Sequence, residues 1–312
     1  MSGVALSPAP VSVPVLLATA LGTALCSSSA NAFNQLQEIP FDAQMARTRS
    51  RPLIRRALSP LHVAAFASLT GAAGPALLWA VVNPTTAVLG AANIALYAGA
   101  YTYMKRRTIW NTWVGAVVGA IPPLMGWAAC GGALLPSSEA LHTVSAALLS
   151  GGAPGDVLAS IAAAADGLAL APLALGLFHF AWQFPHFNSL SYVVRGAYAR
   201  GGYYMLSVLD PRRNAATALR HALLLTGVCS VLVPLSGLTT WAFALTSLVP
   251  NAVFVQASWR FWKQGGEHHA RRLFHHSLWY LPVVMGLMMV HKKGMDWGKW
   301  LGLVNEEEEV AA

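Results

Sequence analysis

Charge is scarce in this chain, and acid scarcer still. Only 10% of the 312 residues are Asp, Glu, Lys or Arg, where a soluble domain carries roughly a quarter, and no charged residue precedes Glu38. With 55% hydrophobic residues and a mean hydropathy of +0.51, that poverty excludes a water-soluble fold and reads as a membrane protein. Cysteine is rare too. Cys26, Cys130 and Cys229 have neither zinc nor redox spacing and fall in or at the end of apolar windows, as reduced packing residues do. A basic leader is missing, because the first basic residue is Arg47; this argues against a cleaved signal or transit segment. No internal repeat is evident, which argues against a transporter built from repeated halves.

What is present is long apolar windows near twenty residues, each able to cross about 30 Å of hydrocarbon as a helix. Eight are read: Val11–Ala32, Leu61–Val82, Thr85–Met104, Trp113–Leu135, Leu168–Val194, Leu219–Leu238, Trp241–Phe261 and Leu273–Val290. Arginine and lysine fill every second connection. Arg47 to Arg56 follow the first window, Lys105 to Arg107 the third, Arg195 to Arg220 the fifth and Arg260 to Arg272 the seventh, and the other three connections have none. Retention of basic loops on one side predicts eight spans in a single domain over 1–312, with both termini on the face opposite those loops. Lys292, Lys293 and Lys299 run against the pattern, and the acidic tail at 305–312 partly offsets them. The net charge of +8 is spread over four converging loops, which suits an anionic small substrate or lipid headgroups rather than nucleic acid.

Asn34, Glu38 and Asp42 are spaced by four. Each step advances about 6 Å along a helix and turns about 40° past a full rotation, so all three project along one stripe. Two carboxylates and an amide offer hard oxygens to Mg²⁺, which binds through one or two carboxylates plus substrate phosphate. Spacing leaves an alternative open: Glu38 and Asp42 pair with Arg47 and Arg49 at the interface. Pro40 suggests that the stripe is partly unwound. A metal, many arginines and an apolar bundle above them point to a prenyl diphosphate, with guanidinium forks on its oxygens.

These residues resemble a known family. "SANAFNQLQEIPFDAQMARTRSRPL", "YTYMKRRTIWNTWVGAVVGAIPPLMGW", "WQFPHFNSLSYVVRGAYARGGYYMLSV" and "RRLFHHSLWYLPVV" are similar, in order, to blocks of the protoheme IX farnesyltransferases (haem O synthases), within the UbiA-type intramembrane prenyltransferase superfamily. The likeness runs from about Val15 to His291, with wording nearest the mitochondrial members. It implies an all-α polytopic transmembrane bundle, nine helices in the family, that transfers farnesyl from farnesyl diphosphate to a vinyl group of haem b. The product, haem O, is the precursor of haem A for cytochrome oxidase. It further implies Mg²⁺ as cofactor, the lipid bilayer and the downstream haem A synthase as partners, and the mitochondrial inner membrane with the active face toward the matrix, or the plasma membrane in a bacterium. Carried over by position, Asn34, Glu38 and Asp42 are the metal and diphosphate motif, with Arg47 and Arg51 beside them. Tyr101, Lys105 and Arg106 form the second block. His186, Asn188, Arg195, Tyr198 and Arg200 belong to the third.

The chain departs from the family in three places. Where members read R-E-D-Y it reads "RGAY", with Gly196 and Ala197, which puts the second metal in doubt unless Asp210 substitutes. The family's first helix has no counterpart ahead of Val11. The stretch 136–166 is long and rich in Ala, Ser and Gly, a flexible loop with at most a short amphipathic helix. Two other functions stay open: a prenyltransferase for another acceptor such as a quinone precursor, and a catalytically silent relative that binds haem or assists oxidase assembly.

Overall fold

A small polar residue followed by proline starts three of the long helices. Ser59 Oγ accepts from His62 N, Asn83 Oδ1 from Thr86 N and Asp210 Oδ1 from Arg213 N, each ahead of a proline at the first helical position. The side chain satisfies an amide that the helix leaves bare, and proline gives up no bond there. The structure, a computed structural model, describes residues 2–151 and 153–295. Its long helices are α1 (Val13–Asp42), α2 (Pro60–Val81), α3 (Pro84–Ile94), α4 (Asn111–Ala129), α5 (Leu170–Val193), α6 (Pro211–Gly227), α7 (Leu248–Gln264) and α8 (Gly266–Val290). Two of them run on through π-helical turns: α3 through Ala95–Tyr101 into Thr102–Met104, and α6 through Val228–Leu232 into Val233–Leu235.

The result is an all-α bundle whose two ends are stitched separately. At the basic end Tyr204 N donates to Lys105 O, Asn111 Nδ2 donates to Tyr204 O, and Gly266 N donates to Tyr192 Oη. Met45 packs on Tyr203 and Met205 and brings in the first connection, so the four arginine-bearing connections meet on one face. At the other end Asn83 Nδ2 donates to Ala128 O, Thr240 N to His291 O, and Lys292 Nζ to Ala5 O and Ser7 O. One apolar cluster joins α5, α6, α7 and α8 around Phe178, Phe254 and Tyr280, with Phe254 stacked on Tyr280 at 4.3 Å. A second, around Cys26, Leu78 and Met125, joins α1 to α4. There a Cβ on Gly74 would lie 2.8 Å from Cys26 Sγ, so only glycine lets α1 and α2 approach this closely. Leu17, Leu21, Phe66, Leu69 and Trp79 face outward, as lipid-facing residues do.

Each of the eight windows overlaps a different one of the long helices, yet among the described residues five helical segments are long and apolar enough to cross by length and composition: α1, α2, α4, Pro211–Leu235 and α8. The reasons for the shortfall are local. The α-helical part of α3 has 11 residues before its π turn, α7 is broken from Ala242–Thr246 at Ser247, and α5 carries His179, Gln183, His186 and Asn188. Two expectations are corrected. Pro40 does not unwind α1, which runs unbroken to Asp42, because a proline two residues from a helix end removes a single ladder bond. The stretch 136–166 holds two helices, Ser138–Leu149 and Pro154–Ala163, the first capped by Ser137 Oγ. The acidic tail and Lys299 lie outside the described residues.

Candidate active site

Because α1 stays helical through Pro40, Asn34, Glu38 and Asp42 all turn inward, with 4%, 3% and 2% of their surface exposed. Buried carboxylates need partners, and the fold supplies one cation each. Lys105 Nζ lies 3.0 and 3.3 Å from the Glu38 oxygens and over the Tyr101 ring. Arg51 Nη1 donates to Asp42 Oδ2. The alternative pairing with Arg47 and Arg49 is not what forms, since the turns of 43–58 bring Arg51 rather than Arg49 back over the end of α1. Asn34 Nδ2 donates to Thr102 Oγ1 at 2.8 Å, which aligns α1 with the end of the α3 rod.

These groups wall a polar cavity of about 110 Å³ with Arg47, Tyr97, Tyr198, Tyr203, Met45 and Met205. Arg47 has no carboxylate partner among the described residues; its guanidinium lies 6.0 Å from the Tyr198 ring centre. Burial above all, then the nearby Glu38 and Asp42 carboxylates, raises the Tyr203 phenol well above the ordinary tyrosine range, so it stays a neutral donor. Tyr97 and Tyr101 also line a second, largely apolar cavity of about 310 Å³, with Gly115, Gly119, Trp182, Gln183, Phe184 and His186 among its walls. A charged chamber and an oily one thus share a tyrosine partition.

Of the residues singled out by sequence, the fold brings Asn34, Glu38, Asp42, Arg47, Arg51, Tyr101, Lys105 and Tyr198 to the polar cavity and His186 to the apolar one. Arg106 lies alongside, its guanidinium 4.0 Å from the Phe41 ring centre. Three residues are placed elsewhere. Asn188 and Asn214 exchange backbone-directed bonds between α5 and α6, Arg195 Nη1 donates to Tyr192 O, and Arg200 is exposed beyond the lining. His179, half-buried, donates from Nδ1 to Leu175 O, a bond within its own helix. Ser277 Oγ donates to Phe274 O and so accepts from His186 Nδ1 at 2.8 Å, which leaves Nε2 of His186 as the bare acceptor.

Tyr97 and Tyr203 went unread in the sequence. Tyr97 had a signal, since Tyr97, Tyr101 and Lys105 repeat the four-residue step of the acidic stripe. Tyr203, Met45 and Met205 had none, being gathered by loop packing around Phe41 and Ala197. Positions 196 and 197 give the cavity no oxygen: Gly196 is exposed, and Ala197 packs on that cluster. Asp210 does not substitute for them: it is not part of the cavity lining, and its Oδ1 caps α6.

An all-α polytopic membrane bundle with a charged pocket beside an apolar one suits a ligand with an anionic head and a hydrocarbon body. The profile of the UbiA prenyltransferase family matches residues 1–279, and the chain belongs to that family. It is 44% identical over 324 residues to the Yarrowia lipolytica protein named "Protoheme IX farnesyltransferase, mitochondrial", covering 99% of this chain and 61% of that one. It is 42% identical over 292 residues to the Homo sapiens protein of the same name, covering 94% and 58%. The chain thus spans about three fifths of the length of these curated relatives. Among solved structures the fold is similar to that of a digeranylgeranylglyceryl phosphate synthase, with TM-score 0.69, 12% identity, and 93% and 90% of the two chains covered. An apo UbiA homolog from Aeropyrum pernix K1 gives 0.63 and 18%, with 92% and 93% covered.

Proposed function

We propose that this chain transfers the farnesyl group of farnesyl diphosphate to a vinyl group of haem b, giving haem O. The observation that carries the reading is the shared partition: Tyr97 and Tyr101 stand between a cavity rich in cations and a cavity shaped for hydrocarbon. The names of the Y. lipolytica and human relatives support the acceptor. The same comparisons and the membrane helices support a mitochondrial inner membrane setting with the basic face toward the matrix. Eight crossings are proposed, one per long helix, because every second connection is basic and the two ends are stitched apart. A haem A synthase is the proposed consumer of the product.

The donor chemistry of the polar cavity fits Mg²⁺, with Glu38 and Asp42 as hard oxygen ligands and Asn34 beside them. Among the described residues no group of three or more His, Cys, Asp or Glu could hold a metal ion by itself, so the remaining ligands would have to come from diphosphate and water. Such an ion would supply neutralisation of charge on the leaving diphosphate. The chain's own groups do the rest. Lys105, Arg51 and Arg47 hold the diphosphate oxygens. Neutral Tyr198 and Tyr203 donate to them. The aromatic walls of the inner cavity position the prenyl chain and keep bulk water from the allylic carbon until the electron-rich vinyl has attacked it; the diphosphate leaves with the C–O bonding electrons, and one water then adds to the carbocation left on the vinyl carbon, with loss of a proton, to give the hydroxyethylfarnesyl group.

The test is conversion of haem b and farnesyl diphosphate to haem O by purified protein. Turnover is expected with Mg²⁺, none after chelation, and a loss on the order of a hundredfold or more in Asp42→Ala. Haem binding without turnover, indifferent to Asp42→Ala, would establish instead the silent relative, a reading favoured by the missing carboxylates at Gly196 and Ala197. Turnover with a quinone precursor but not haem would assign the other acceptor.

A further inference from the structure

The polar cavity contains its own counter-ions, and their number restricts what it accepts. Two carboxylates, Glu38 and Asp42, face three cations, Lys105, Arg51 and Arg47. Both carboxylates are already paired, and Arg47 is left over without an acidic partner among the described residues. The lining therefore carries one net positive charge. A divalent cation arriving alone raises this to three and competes with Lys105 for both Glu38 oxygens and with Arg51 for Asp42 Oδ2, and each cationic side chain it displaces becomes a buried charge without compensation. A fully ionised prenyl diphosphate arriving alone brings three negative charges and overshoots to minus two. Together with one divalent cation the same diphosphate brings the lining to zero. A second cation would carry it to plus two again, with no further carboxylate to receive it: position 196 is an exposed glycine, 197 a packed alanine, and Asp210 caps α6.

We infer that this site takes one divalent cation per diphosphate, and that cation and diphosphate bind as mutually dependent ligands because Lys105 and Arg51 must be handed from Glu38 and Asp42 to the diphosphate oxygens. The inference rests on the diphosphate reading above and sharpens it. Lys105 and Arg51 act as exchangeable plugs: they hold the carboxylates while the pocket is empty and turn to the substrate when the cation takes their place. The coupling is reciprocal, so the cation tightens the diphosphate by the factor by which the diphosphate tightens the cation.

The experiment counts Mn²⁺, a paramagnetic stand-in for Mg²⁺, by the loss of the free-ion EPR signal on the purified full chain in nanodiscs, without haem. Mn²⁺ alone is expected to bind weakly. With farnesyl thiodiphosphate, an unreactive analogue, one Mn²⁺ per chain should bind more tightly by on the order of a hundredfold. Lys105→Met frees Glu38, so it should tighten Mn²⁺ alone and shrink the coupling, whereas Lys105→Arg should preserve it; Arg51→Gln provides the same readout through Asp42 should the first variant fail to fold. Two Mn²⁺ per chain with the analogue, or equal Mn²⁺ affinity with and without it, overturns the inference while leaving the diphosphate reading intact. No analogue binding under any condition overturns both.

Discussion

Glu38 has a counter-charge only because a residue 67 positions away folds onto it, and this makes the pair expensive to break. Lys105→Met should destabilise the protein by about 3–5 kcal/mol, since it strands a buried carboxylate, and the Glu38→Gln/Lys105→Met double variant should recover much of the loss. Chemical unfolding of the parent, Lys105→Met, Glu38→Gln and the double variant in detergent measures both. Tyr203 gives a pH prediction. Its folded pKa lies above the unfolded value, so the stability it contributes is fully present below about pH 10, the unfolded tyrosine pKa, and is lost as pH rises beyond it. Thermal melts of Tyr203→Phe and the parent should therefore converge as pH increases through that range. At this scale the sequence disclosed Asn34, Glu38 and Asp42, because one helix carries all three at its own period. Spacing alone did not say which cations meet them, since Arg51 and Arg49 differ only in how the 43–58 turns close; the family resemblance placed Arg47 and Arg51 beside the stripe, and the pairing of Lys105 with Glu38 is seen only in the fold. Asn188, read as a site residue, lies in the seam between α5 and α6.

The element that shapes the partition is the π-helical run Ala95–Tyr101. One extra residue per turn shifts the face that follows it, which brings Tyr101 and Lys105 to bear on α1 along with Tyr97. Deletion of Gly99 restores the α-helical phase and should lower turnover on the order of a hundredfold through misplacement of both side chains. Gly99→Ala, whose added methyl meets nothing within 4 Å, should leave turnover unchanged. Gly115 marks the opposite wall: a Cβ there would lie 2.8 Å from the Tyr101 ring, so Gly115→Ala should displace the ring and raise KM for the prenyl diphosphate. Helix existence was legible from apolar windows and from cap-plus-proline starts. The π turns were not, because hydropathy does not register a change of hydrogen-bond partner. Nor was the second helix of 136–166, in a stretch whose Ala, Ser and Gly composition suits helix and loop alike.

Across the whole molecule, the alternation of basic and uncharged connections sets which end faces which compartment. With one crossing per long helix, cysteines at Arg55 and Arg200 should react with an impermeant maleimide from one side of sealed vesicles, and a cysteine at Ser138 from the other. Labelling of all three from one side would break the eight-crossing topology. The all-α bundle and its charged face were readable in advance because loop charge and window length are properties of composition. The contact between the two chambers was not, since it depends on Tyr97 and Tyr101 being seen by both.

That partition has a consequence for traffic. If diphosphate is released on the charged side and the swollen, greasier porphyrin on the oily side, the two products depart by separate doors, one into water and one into the bilayer. Recombination would then require both to return at once, and the membrane itself would keep the reaction running forward.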